Sequence, residues 1–160
     1  EQYSRSMLVI AVSSIVFSLF LYFSDRPARA VKGLHELTWK TGLLIGIAQM
    51  LALIPGTSRS GVTMTAALYC NLTRPAAARF SFLLAIPIIA ASGLLKSIEL
   101  YAVDTSGSEW LILFYATGLA AVVAYNCIHF FLQLIERVGF LPFVIYRLVL
   151  GGLLLVIYFV

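Results

Sequence analysis

Four long runs of apolar residues with few charges dominate the pattern of hydrophobic and polar positions along the chain. A helix that crosses a bilayer needs about 20 mostly apolar residues. The pattern therefore predicts four membrane-spanning helices, over residues 7–23, 75–98, 110–132 and 140–160. Pro87 lies inside the second run. We expect a kink there rather than the end of the helix, since transmembrane helices tolerate proline.

The stretch between the first and second of these runs has a different pattern. Residues 41–54 are apolar, but they are too few to cross a bilayer and they stop at Pro55 and Gly56. Residues 61–72 then resume a helical pattern for about three turns. Two helices of this length predict a re-entrant hairpin over residues 41–72, with the sequence PGTSRS at its tip.

The positions of Lys and Arg give an independent argument for this hairpin. Basic residues lie on both sides of it, whereas residues 103–109 contain neither Lys nor Arg. Cytoplasmic loops are enriched in Lys and Arg, so we expect residues 103–109 to be external. A hairpin keeps the flanking basic residues on the cytoplasmic side, namely Arg26, Arg29, Lys32 and Lys40 before it and Arg74 and Arg79 after it.

The composition agrees with a membrane protein. Hydrophobic residues make up 61% of the chain and charged residues 11%, against about 25% charged residues in soluble domains. The prediction is an all-α integral membrane protein with a single membrane domain over residues 1–160. The net charge of +4 is not evidence of a surface that binds nucleic acid. The cysteines, Cys70 and Cys127, lack the spacing of metal ligands, and no metal site is predicted within the chain.

The break at Pro55 and Gly56 has the features of an anion site. Non-helical backbone at membrane depth is tolerated where it is buried in protein or faces a water-filled cavity. Gly56 and Gly61 allow the backbone to turn tightly and to approach a ligand closely. We expect Gly61 to open a helix, whose first N–H groups are unpaired and carry partial positive charge. Such a helix terminus binds anions.

Hydroxyl groups and one arginine strengthen this interpretation. Thr57, Ser58, Ser60 and Thr63 supply hydrogen-bond donors around the break. Arg59 supplies a permanent charge and a planar fork that matches phosphate oxygens. A charged residue inside the membrane is by default a functional candidate. The sequence therefore predicts a phosphate site at Arg59, with the alternative that Arg59 pairs with a carboxylate on a neighbouring helix.

Three other polar residues have two interpretations each. Gln49 can hold a phosphate or water, or it can make an interhelical hydrogen bond worth about 1 kcal/mol. Thr63 can face the anion, or its hydroxyl can bond back to a helix carbonyl. Arg147, inside the last span, can pair with an acid outside this chain or extend toward the interface. We expect a structural role for Arg147.

The stretch GIAQMLALIPGTSRSGVTMTAAL closely resembles the second signature of the bacterial undecaprenyl-diphosphate phosphatases, the bacitracin-resistance family. The segments RFSFLLAIPIIA and FLQLIERVGFLPFVIYRLVLGG are similar to the same family. The signature P-G-x-S-R-S-x-x-T matches Pro55, Gly56, Ser58, Arg59, Ser60 and Thr63.

The resemblance implies an enzyme that hydrolyses undecaprenyl diphosphate to the monophosphate lipid carrier for cell-wall synthesis. It implies a multi-pass protein of the bacterial inner membrane, with its site open to the outer side and a divalent cation, Mg or Ca, as cofactor. Arg59 and Ser58 are the implied catalytic residues. The implied substrate-binding residues are Gly56, Thr57, Ser60, Gly61, Thr63 and Gln49.

The first half of the family pattern is absent from this sequence. That half carries a glutamate-rich signature, E-x-x-x-E, and a Ser-Ser-Thr-Gly-His stretch, whereas no acid lies between Lys40 and Lys96 here. We expect this chain to be one half of an inverted-repeat fold, with the cation ligands in a missing N-terminal half. Residues 1–160 alone should then lack phosphatase activity. The alternative function is half of a transporter for an anionic lipid or solute, and a homodimer is possible.

Overall fold

Helices make up nearly all of the regular structure in the computed structural model, which describes residues 7–25, 31–101 and 107–159. Two short 3₁₀ segments, Leu34–Glu36 and Gln49–Leu53, flank the second helix. The six α-helices are α1 (Met7–Ser24), α2 (Trp39–Ala48), α3 (Arg59–Tyr69), α4 (Arg74–Tyr101), α5 (Gly107–Val138) and α6 (Leu141–Phe159).

Four of these helices, α1, α4, α5 and α6, are long and apolar enough to cross a membrane. Their best segments have mean hydropathies between 1.9 and 2.3, and the prediction of four such helices is confirmed. The helix α5 continues six residues beyond the predicted end at residue 132. It ends before Gly139, which has a φ of +77°, a conformation that favours glycine at a helix C-terminus. Pro87 lies within α4 and does not end it.

Residues 41–72 are interrupted at the predicted place. The helix α2 ends at Ala48, and the 3₁₀ segment ends at Leu53. Pro55 has no amide proton to donate, and Gly56 has a φ of +87°, so neither residue continues a helix. These two residues therefore explain why no helix continues through positions 55 and 56.

The expected start of the second short helix was wrong by two residues. The helix α3 begins at Arg59, and Gly61 lies inside its first turn instead of opening it. The reason is a cap: the Ser58 hydroxyl accepts a hydrogen bond from the Gly61 amide at 3.1 Å, and serine is a preferred residue for this position. The helix ends at Tyr69 rather than at residue 72.

The helix α3 lies at the centre of the packing. It contacts α1, α2 and α4, and α1 also packs along α6. Small residues allow the helices to approach closely: an ideal Cβ atom on Gly151 of α6 would lie 2.6 Å from the Ile15 side chain of α1. Close packing of small residues is the usual way in which membrane helices associate. The break before α3 contacts both of these helices, through Ser13 of α1 and Arg147 of α6.

Asp25 joins three elements at one end of the bundle. Its Oδ1 atom pairs with Arg74 Nε of α4 at 2.5 Å. Its Oδ2 atom accepts the Phe140 amide at the start of α6 at 3.1 Å. The carboxylate therefore pairs with a charge and caps a helix N-terminus, where negative charge is favourable.

Replacement of Asp25 by asparagine should lower the free energy of unfolding by about 2 kcal/mol, because hydrogen bonds to charged groups contribute about 1.5–3 kcal/mol. Thermal unfolding in detergent micelles measures this effect. Glu99→Gln is the matched control, since the Lys96–Glu99 pair is largely exposed and such pairs contribute about 0–1 kcal/mol. Equal stabilities of the two variants would contradict the role assigned to Asp25.

Candidate functional site

The break between α2 and α3 is fixed firmly against α1. The Ser13 hydroxyl donates to the Pro55 carbonyl at 2.6 Å. A Cβ atom on Gly56 would lie 2.6 Å from the Ile10 carbonyl oxygen. Only glycine fits this contact, and only glycine adopts the observed φ without cost. The loop is therefore held in one conformation before any ligand binds.

The N-terminus of α3 presents free backbone donors. The Ser58 hydroxyl oxygen accepts a hydrogen bond from the Gly61 amide and lies 3.2 Å from the Ser60 hydroxyl. In the described part of the chain, the amides of Arg59 and Ser60 have no acceptor, as is usual in a first helical turn. These two amides and the partial positive charge of the helix end are suited to an anion.

Arg59 is the first residue of α3, and its side chain is exposed. Within residues 7–25, 31–101 and 107–159, its guanidinium makes no hydrogen bond or ion pair. The described residues therefore contain no carboxylate partner of the kind considered from the sequence. The full fork of donors is free for an anion that binds at the helix end.

Thr63 lies away from the free helix end. Its side chain is buried, and its hydroxyl contacts the carbonyls of Arg59 and Ser60, both at 3.1 Å. It also lies 2.6 Å from the Ser81 hydroxyl of α4. In this structure the Thr63 hydroxyl bonds back to its own helix, as in the structural interpretation given above, and it also contacts α4. Its part in substrate binding stays a prediction.

Two of the predicted substrate-binding residues have buried oxygen atoms without a partner. They are Oε1 of Gln49 and Oγ1 of Thr57, and no described residue hydrogen-bonds to either. Leaving a buried polar atom unpaired costs about 1–3 kcal/mol, so native proteins rarely do so. Both oxygens lie in the segment around the break, where water, a ligand or another part of the protein can supply the hydrogen bond.

Arg147 of α6 belongs to the same region, and the structural role expected for it stays a prediction. Its Nη2 atom donates to the Gly56 carbonyl at 2.7 Å and lies 3.4 Å from the Ser14 hydroxyl. Its Nη1 atom would lie 3.1 Å from a Cβ atom on Gly61. A charged residue within an apolar helix was the only sequence signal, and the sequence does not show that α6 packs beside the break.

A cavity of about 430 Å³ adjoins this arginine between α1, the break and α6. The polar residues of its wall include Ser14, Thr57, Ser58 and Arg147. Of the predicted site residues, the cavity includes Gly56, Thr57 and Ser58, whereas Arg59, Ser60, Gly61, Thr63 and Gln49 lie outside its wall.

The described residues of this region do not fit a divalent cation. Mg and Ca ions prefer carboxylate oxygens, and the break offers hydroxyl and carbonyl oxygens instead. Among the residues with described positions, His, Cys, Asp and Glu side chains form no cluster of three or more.

The Cys70 thiol lies outside the site. Burial raises the pKa of this thiol, and the positive charge of Lys32 opposes that effect.

The chain matches a known protein family over most of its length. Residues 1–153 match the family described as "Bacitracin resistance protein BacA". An undecaprenyl-diphosphatase of Hahella chejuensis is 53% identical over 98% of this chain and 58% of its own length. Undecaprenyl-diphosphatase 1 of Pseudoalteromonas translucida is 52% identical, over 94% of this chain and 56% of its own.

A third relative, undecaprenyl-diphosphatase 2 of Stutzerimonas stutzeri, is 53% identical over 99% of this chain and 59% of its own length. The chain thus spans somewhat more than half the length of these curated relatives. The four apolar helices agree with a multi-pass membrane protein. On this evidence the chain belongs to the bacitracin resistance protein BacA family.

Proposed function

We propose that this chain is the phosphate-binding part of an enzyme that hydrolyses undecaprenyl diphosphate to undecaprenyl phosphate and phosphate. The observation that carries this proposal is the open N-terminus of α3, where two amides adjoin the guanidinium of Arg59 and none of these groups has a partner among the described residues. Relatives named undecaprenyl-diphosphatase, at about half sequence identity, support the substrate.

In this proposal the terminal phosphate of the lipid lies at the helix end. The amides of Arg59 and Ser60 donate to one of its oxygens, and the Arg59 fork donates to two others. Water attacks the phosphorus atom, the anhydride P–O bond breaks, and the lipid monophosphate leaves. Donors fixed in advance stabilise the charge that develops on the phosphoryl oxygens.

Ser58 acts as a donor in this arrangement. Its oxygen accepts the Gly61 amide, so its own proton is available for a phosphate oxygen or for Ser60. Gly56, Thr57, Gly61 and Gln49 shape the site and supply polar atoms around it. No described carboxylate or imidazole adjoins Ser58, so the described residues supply no base to make it a nucleophile.

The remainder of the protein completes the site in this proposal. It brings the acidic residues that hold a divalent cation, Mg or Ca, and it forms the second half of an inverted repeat with its own hairpin. Residues 41–72 form the re-entrant hairpin of this half. The enzyme lies in the bacterial inner membrane, and its site opens to the outer side.

The test is phosphate release from undecaprenyl diphosphate by the full-length protein that contains this chain, purified in detergent. We expect release by the full-length protein and none by residues 1–160 alone. The transport alternative makes the opposite prediction for the full-length protein, namely flux of the lipid across vesicles without hydrolysis. That result would overturn the proposed function.

A further inference from the structure

Arg147 has a positive charge that no described residue balances. Its side chain is half-buried within α6, and its hydrogen bonds to Gly56 and Ser14 both use Nη2. The donors on Nη1 and Nε have no acceptor among the described residues. Carboxylates are absent from the wall of the adjoining cavity. A charged side chain inside a membrane is almost always paired with an opposite charge or a polar group. We therefore expect an anionic group in the cavity.

Thr57 gives a second, independent reason to expect a ligand there. It lines the same cavity, and its buried Oγ1 atom has no hydrogen-bond partner. A hydroxyl group can donate to an anion and so satisfy itself. A ligand with oxygen acceptors and negative charge would satisfy both the charge and the hydroxyl, which have no such partner among the described residues.

The rest of the cavity is apolar. Away from Arg147, its wall includes Ile10 of α1 and Leu150 and Leu154 of α6. Its volume of about 430 Å³ lies in the range of small-molecule sites, about 300–1,000 Å³. A site with one cationic polar end and one apolar end of this size is suited to a lipid with an anionic headgroup.

We propose that this cavity binds the diphosphate of the prenyl lipid against Arg147 and Thr57, with the first prenyl units between α1 and α6. This assignment rests on the proposed function, which supplies the prenyl diphosphate. It adds a second arginine to the site and a path for the chain of the lipid.

The geometry of α3 places the two arginines on different sides of the helix end. Gly61 faces Arg147. Arg59 precedes Gly61 by two positions, and at 3.6 residues per turn it points about 160–200° away. A diphosphate has two phosphate groups, so Arg59 can hold one while Arg147 holds the other.

The test measures binding by the full-length protein of two probes that are not hydrolysed. One is a methylene-bridged undecaprenyl diphosphonate, and the other is methylenediphosphonate, which has no apolar chain. Arg147→Gln should weaken binding of both probes by about 10- to 100-fold, because it removes charge-assisted hydrogen bonds. Leu154→Trp fills the apolar end and should weaken only the prenyl probe, by about tenfold or more.

Leu153→Trp is the matched control, because Leu153 is the neighbouring leucine of α6, is exposed and does not line the cavity. It should bind both probes as the unmodified protein does. Leu154→Trp leaves the contacts of the break intact, so it tests the cavity even if Arg147→Gln fails to fold. Steady-state hydrolysis by the same variants should show a raised KM.

The outcomes separate this proposal from the proposed function. Hydrolysis by the unmodified protein, with unchanged probe binding in Arg147→Gln and Leu154→Trp, would overturn the cavity assignment alone. A lowered kcat with unchanged binding in Arg147→Gln would also overturn it, because Arg147 would then only hold the loop. Absence of hydrolysis together with the expected binding losses would overturn the proposed function and support the cavity.

Discussion

Replacement of Arg59 by lysine in the full-length protein is expected to lower kcat for undecaprenyl diphosphate by about 100- to 1,000-fold, the usual effect of losing one donor to a developing charge. Lysine keeps the positive charge, but it lacks the planar fork that donates to two phosphate oxygens. The side chain is exposed at the first position of α3, so the variant should fold normally. Phosphate release under steady-state conditions measures the effect.

Arg137→Lys provides the control for this variant. Arg137 is also exposed, but it lies in the last turn of α5, away from the break. The kcat of the Arg137→Lys variant should stay within about twofold of the value for the unmodified protein, because surface substitutions away from a site have small effects. If Arg59→Lys hydrolysed the lipid as fast as Arg137→Lys, the fork of Arg59 would have no part in the reaction.

Gly56→Ala is expected to lower the free energy of unfolding by about 2–5 kcal/mol and to abolish activity. An alanine with positive φ costs about 1–2 kcal/mol. The added methyl group would also overlap the backbone at Ile10 and the Ser13 side chain of α1, and such overpacking costs about 1–3 kcal/mol. The loop cannot retreat, since Arg147 and Ser13 hold it on two sides. Thermal unfolding in detergent measures the loss.

Gly46→Ala is the natural comparison for that variant. Gly46 lies inside α2, and a Cβ atom there has nothing within 4 Å. Alanine should therefore stabilise the helix by about 0.5–1 kcal/mol. If both variants lost a similar amount of stability, the backbone conformation at position 56 would not be the reason that glycine is needed there.

The helices and the break could be predicted from the sequence because their causes are local. Long, mostly apolar runs determine α1 and α6, and Pro55 with Gly56 determines the break. The start of α3 was harder to place, since it depends on the Ser58 hydroxyl turning back to the Gly61 amide. The length of α5 was also underestimated, because residues 133–138 include three polar residues, Gln133, Glu136 and Arg137, yet contain no residue that ends a helix.

Site residues that depend on tertiary packing were beyond sequence reasoning. Ser58, Arg59 and Ser60 adjoin one another in the sequence, so their shared surroundings could be expected. Arg147 reaches Gly56 across 91 positions, and nothing in the pattern of α6 shows which helix it faces. Likewise, the sequence offered an anion or a helix carbonyl as the partner of the Thr63 hydroxyl. It did not show that the packing of α4 places Ser81 beside this hydroxyl.

The pairing of α1 with α6 also bears on how the protein is made. Ser14 and Arg147 meet although they are 133 positions apart in the sequence. At a translation rate of about 5–20 residues per second, α1 waits on the order of ten seconds for its partner to leave the ribosome. Until α6 has been inserted, the Gly56 carbonyl lacks its donor and the cavity has no far wall. Under the proposed function, a nascent chain should therefore be unable to capture the lipid before α6 enters the bilayer.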